Sequence, residues 1–116
     1  MTDDPASRHR AHIDALRAAV IEGPGVVPRE RREAAARNAD VAAGFSTYVD
    51  AIHRHAYRIT DRTVAELRAA GASDDEIFEM TVAAACGAAL ERFDAGLRAL
   101  RSAARGDGHA GRGEWR

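Results

Sequence analysis

The chain has 116 residues, of which 46% are apolar and 30% charged, and its net charge is −1. That length holds one domain burying roughly 65% of its unfolded surface. Acids and arginines are interleaved throughout, which excludes the basic stripe of a nucleic-acid binder. No apolar run approaches the ~18 residues of a membrane span. All 17 basic residues are arginine, read as a GC-rich coding bias. The opening Met1-Thr-Asp-Asp-Pro5 is acidic and polar, unlike a signal peptide. A single cysteine, Cys86, rules out an internal disulfide and points to the cytoplasm.

The elements read as helices, with no strand pattern. Ser7 is placed to cap a first helix carrying Ile13, Leu16, Val20 and Ile21, and Gly23-Pro24-Gly25 stops it. Pro28 suits the first turn of a second helix, running to about Ala39. This helix is charged and alanine-rich with few large apolar anchors, so it is expected on the surface or against a neighbour. A third helix from about Val41 or Phe45 to Arg58 carries Phe45, Tyr48, Val49, Ile52, Ala56 and Ile59 at +3, +4, +7, +11 and +14, an apolar stripe. Thr60 or Asp61 caps a fourth helix with Val64 and Leu67, closed by Gly71.

Ser73 and Glu76 then form an S-x-x-E capping box that starts a fifth helix from about Asp74 to Ala104. Phe78, Val82, Ala85, Ala89, Phe93, Leu97 and Leu100 make one seam along it, and Ile77, Thr81, Ala84 and Ala88 a second. From Val82 to Ala89 the helix is small and apolar on every side, so it must be covered all round. In so short a chain that implies that a second subunit does some of the covering. Residues 1–105 form one domain, and the glycine-rich tail 106–116, ending near Trp115, is expected to be disordered, with Trp115 idle or docked on a neighbour.

From about Phe45 to Leu100 the chain resembles the alkylhydroperoxidase D-like / carboxymuconolactone decarboxylase superfamily. The signal is a helix, then Leu67-Arg-Ala-Ala-Gly71, Asp75-Glu-Ile-Phe-Glu79, Ala83-Ala-Ala and Ala88-Ala-Leu90, in that order. The resemblance implies an all-α, helical-hairpin fold of about five helices and a homo-oligomer, a trimer or hexamer. Redox members carry Cys-x-x-Cys-x-x-x-His, the histidine eight residues before the helix-ending glycine. Counted back from Gly71, the histidine falls at Thr63, the cysteines at Ile59 and Ala56, and a relay glutamate at Gly44. All four positions are wrong for the chemistry, since thiol peroxidase turnover needs a thiolate, a resolving thiol and a proton donor. Dithiol peroxidase activity is therefore expected to be absent. The decarboxylase branch works by proton transfer and needs no cysteine pair.

His53, His55 and Tyr57 cluster where the redox relatives keep their active site, and are the catalytic candidates: a histidine as general base, Tyr57 as hydrogen-bond donor. The plain alternative is a wet helix edge. Tyr48, Ile52, Arg58 and Glu79 are the candidates for contacting a substrate. Arg58 belongs to a ridge with Arg54 and Arg62 that could hold a small anion, and Glu79 stands one turn beyond the capping acids. Cys86, set among alanines, reads as a small buried hydrophobe. His53 and His55 diverge on a helix, so no metal site is expected, and no cofactor. These readings point to a small organic molecule bound in an apolar pocket beside the third helix, transformed by acid–base chemistry such as decarboxylation or isomerisation. The other class is a non-catalytic helical scaffold or regulatory oligomer; an alkylhydroperoxidase-type antioxidant stands third.

Overall fold

The computed structural model describes residues 5–106, and among them every regular element is a helix. The tail expectation and the role of Trp115 lie outside the described residues. In order come α1 (Pro5–Arg17, continued by a π-helical turn Ala18–Glu22), α2 (Arg29–Arg37), α3 (Ala43–His55, continued by a 3-10 turn Ala56–Arg58), α4 (Asp61–Ala69) and α5 (Asp74–Ala104). No helix among the described residues is long and apolar enough to cross a membrane. Helix α1 starts at Pro5, so Ser7 lies inside it, not at its cap. Proline is well suited to a first helical turn because it has no N–H to leave unpaired there.

The ends of the later helices follow the local chemistry. Asn38 takes a left-handed conformation (φ 55°) and ends α2, two residues before the expected end. Its side-chain amide donates to Asp50 Oδ1 at 2.9 Å, tying this end to α3. The α-helical part of α3 stops where His55 turns to φ −145° and ψ 50°. Thr60 caps α4, its N–H donating to Thr63 Oγ1 at 3.2 Å. Gly71, at φ 107°, makes the turn that only glycine adopts without cost. The Ser73–Glu76 capping box is formed: Glu76 N–H donates to Ser73 Oγ at 3.1 Å, and Ser73 N–H to Glu76 Oε1 at 2.9 Å.

The core runs between α5 and a layer made by α2 and α3. Phe45, Tyr48, Val49 and Ile52 are buried as the α3 stripe requires, while Ala56 is exposed and Ile59 half-buried past the helix end. For α2 the surface alternative is overturned, and the neighbour it leans on is α5: the two make the most extensive helix–helix contact among the described residues, and Ala34, Ala35 and Ala36 are all buried. The reason is steric. Ala83, Ala84, Gly87 and Ala88 let the two backbones approach so closely that a Cβ on Gly87 would lie 2.0 Å from Ala36 O. Much of the cover for the alanine-rich centre of α5 therefore comes from the same chain. Of the two α5 seams, the inner one includes Ile77, Ala84 and Ala88; the seam with Phe78, Phe93 and Leu100 faces outward.

The Gly23–Pro28 loop is pinned from two sides. Arg32, 4% exposed, donates from Nε to Val27 O (3.0 Å), from Nη1 to Val20 O (3.3 Å), and from Nη2 to Gly23 O. From α5, Glu79 accepts the N–H of Val27 at 2.8 Å and of Val26 at 2.9 Å. A side chain at Gly25 would meet Glu79 Oε1 at 2.7 Å, so the missing Cβ admits the carboxylate.

Candidate functional site

The structure divides the expected site residues among five places. Ile52 is buried in the core. Glu79 is committed to the amides of Val26 and Val27, which, Val27 first, hold its carboxyl below the usual range. It acts as a loop anchor, which one sequence could not distinguish from an arginine partner or a pocket wall.

His53 sits on the side of α3 that faces α2 and α5. Its side chain is 6% exposed and its Nε2 lies 2.8 Å from Ala35 O. A carbonyl only accepts, so Nε2 carries a proton. Nδ1 lies 3.9 Å from Glu91 Oε1, beside a polar cleft of about 350 Å³ whose walls include Arg37, Arg54 and Arg92. Arg54 pairs with Asp50 at 2.7 Å, and Arg92 Nη2 donates to His53 O at 2.9 Å. Asn38 and Arg54, in that order, hold the Asp50 carboxyl below its ordinary value. Asn38, His53 and Arg92 thus join α2, α3 and α5, while Arg54 braces Asp50 within α3.

His55, Tyr57 and Arg58 come together at the far end of α3. The His55 and Tyr57 rings meet edge-on, with centroids 6.1 Å apart, and the Arg58 guanidinium lies over the Tyr57 ring at 5.7 Å. Tyr57 is 78% exposed, so this row lies on the surface. Its last member, Arg58, lines an open cavity of about 420 Å³ between α3 and α4, with Gly44, Thr47, Tyr48, Ile59, Thr63 and Leu67 among the other walls.

Tyr48 contributes its ring to that cavity but not a free hydroxyl. Thr81 Oγ1 donates to Ile77 O at 2.5 Å, so its proton is spent. The 2.7 Å contact between Tyr48 Oη and Thr81 Oγ1 then requires Tyr48 to donate. The hydroxyl ties α3 to α5, and the cavity opens on the α4 side of α3. Glu66 supplies a carboxyl at the wall. Sequence reasoning missed Gly44, Thr47 and Thr63 as cavity residues, because no chemical signal marks a glycine or threonine as a wall.

Cys86 is half-buried, and burial pushes its thiol above the ordinary value. Among the described residues no three His, Cys, Asp or Glu side chains are grouped to hold a metal ion. Comparison with protein-family models, with curated proteins and with solved structures gives no match.

Proposed function

We propose that this chain binds a small organic anion in the α3–α4 cavity, its apolar body against Tyr48, Ile59 and Leu67 and its charged group on Arg58, without thiol redox chemistry. The observation that carries the reading is the cavity's make-up. At about 420 Å³ it lies within the range of small-molecule sites, and it joins apolar walls to one guanidinium. The family resemblance adds support. Gly44, Ile59 and Thr63, the positions it assigns to the relay glutamate, a cysteine and the histidine, all line this cavity. The container would then be retained and its sulfur couple lost. Acid–base turnover such as decarboxylation or isomerisation is the enzymatic form of the proposal, with Glu66 the carboxyl at the wall and the His55–Tyr57 row holding Arg58.

Binding without turnover, the regulatory or scaffold reading, is favoured by two observations. The Tyr48 hydroxyl is already committed to Thr81, and His53 serves a different cleft.

The test is calorimetric titration with benzoate and hexanoate. Binding is expected for at least one. Arg58→Gln, which removes a charge-assisted contact of about 1.5–3 kcal/mol, is expected to weaken it about tenfold or more. Gly44→Leu, which fills the cavity from a position with open space around it, is expected to abolish it. Binding untouched by both substitutions, or no binding of either acid at millimolar concentration, contradicts the proposal. Dithiol-dependent turnover of hydroperoxide by the pure protein contradicts its non-redox part.

A further inference from the structure

Helix α5 is longer than the body that it packs against. At 31 residues it spans roughly 46 Å, most of the 53 Å long axis of the molecule. Its first half is covered by α2 and α3 on one side and presents Phe78, Val82 and Ala85 on the other. Its second half, from Glu91 to Ala104, is exposed except at Leu97 and Ser102, which are half-buried. Phe78 and Leu100 are each 68% exposed and Phe93 39%. At ~100° per residue, positions 78, 82, 85, 89, 93, 96 and 100 fall within an arc of about 80°, so they form one continuous apolar stripe. A protruding half-helix of this length is marginal without packing.

We propose that a second copy of this chain covers the stripe, α5 against α5 and antiparallel, about a two-fold axis at Ala89. The sequence of sizes along the stripe selects this pairing. Reversal about Ala89 sets Phe93 of one chain opposite Ala85 of the other, Val82 opposite Gly96, and Phe78 opposite Leu100. Each bulky residue near the centre meets a small one, and Ala89 meets its own copy where the backbones are nearest. Beyond its own helix, nothing lies within 4 Å of where a Cβ on Gly96 would stand, so this side of the helix has room for Val82 of the second chain. A parallel pairing instead sets Phe93 on Phe93 and leaves a void at Ala85.

The same reversal lays the protruding half of each α5 along the outward face of the other chain's packed half. Antiparallel helix dipoles also attract when side by side. The stripe would bury roughly 400–500 Å² on each chain, about 900 Å² in total, near the lower bound for a specific interface. A concentration-dependent dimer with a Kd on the order of 10 µM is therefore expected. This inference does not depend on the α3–α4 cavity binding a ligand.

The experiment is sedimentation equilibrium of the full chain from ~1 to ~200 µM, a range that brackets that Kd. Wild type is expected to pass from monomer to dimer. Phe78→Asp and Leu100→Arg are each expected to weaken the dimer about tenfold or more. Together they set the new carboxylate of one chain opposite the new guanidinium of the other, and are expected to recover at least about tenfold over either single variant. Both sites are exposed, and circular dichroism is expected to show helix content unchanged. For a readout that does not rely on those substitutions, Ala89→Cys in a Cys86→Ala background is expected to form a disulfide-linked dimer on oxidation, and Glu91→Cys, on the opposite side of the helix, is not. A monomer throughout the range, a trimer, a double variant no better than its parents, or equal cross-linking at 89 and 91 overturns the proposal.

Discussion

Replacing Gly87 with alanine tests the close contact that organises the fold. By helix propensity the change stabilises, since alanine is better than glycine in a helix interior by about 1 kcal/mol. Packing opposes it. The added Cβ would stand 2.0 Å from Ala36 O, 2.5 Å from Ala36 Cα and 2.6 Å from Ala36 C. These are backbone atoms, so no rotamer change relieves the overlap. Ordinary contact requires α2 and α5 to separate by more than about 1 Å, loosening the packing of every buried alanine along the crossing, at a cost of about 3 kcal/mol or more for a rigid site. The net expectation is a loss of about 2 kcal/mol, or roughly 10 °C in Tm for a domain of this size. Urea unfolding followed by circular dichroism measures it. Gly44→Ala makes the same chemical change where the new Cβ meets nothing within 4 Å, and is expected to be neutral or to stabilise by up to ~1 kcal/mol. A Gly87→Ala protein as stable as wild type would refute the account of the α2–α5 contact.

Arg32→Ala strips the donors from the carbonyls of Val20, Gly23 and Val27 and is expected to cost about 3 kcal/mol or more in urea unfolding, with Arg32→Lys recovering little because a single ammonium cannot span the same fork. Glu79 has its folded pKa lowered by the Val27 and Val26 amides, so its stabilisation is full above the unfolded carboxyl pKa and is lost as pH falls through the folded value. Glu79→Gln is therefore expected to flatten the acid limb of the stability–pH curve between about pH 4.3 and the folded pKa; an unchanged acid limb would show that the anchor is not ionised. Cys86, with its thiol raised by burial, is expected to react with iodoacetamide at pH 8 more slowly than free cysteine, and a rate equal to or above that of the free amino acid would contradict the assignment.

What could be read from the sequence was whatever leaves a local chemical mark. Helix α5 begins at its capping box, Gly71 takes the conformation that a helix stop demands, and the α3 stripe faces the core because large residues recur at helical spacing. The position of α2 was hidden, because Ala34, Ala35 and Ala36 beside arginines give no amphipathic signal, although Ala36 lies so close to α5 that Gly87 has no room for a Cβ. Helix α5 was ambiguous for a related reason: with alanine on every side, two seams were available, and which one turned inward depended on where Gly87 could admit another backbone. The candidate site was legible only in part. Neighbouring positions such as His53 and His55 belong to different faces once the helix forms, so residues that cluster in sequence serve different clefts. Arg58 and Tyr48 do reach one cavity, but Tyr48 does so with its hydroxyl turned to α5.

Amide chemical-shift mapping during titration with benzoate tests the central claim most directly, because it reads location as well as binding. The account predicts saturable shifts concentrated at Gly44, Thr47, Ile59 and Thr63, around the α3–α4 cavity, and their loss in Arg58→Gln. Shifts concentrated instead at Arg37, His53 and Arg92, or none at all at millimolar ligand, would contradict it.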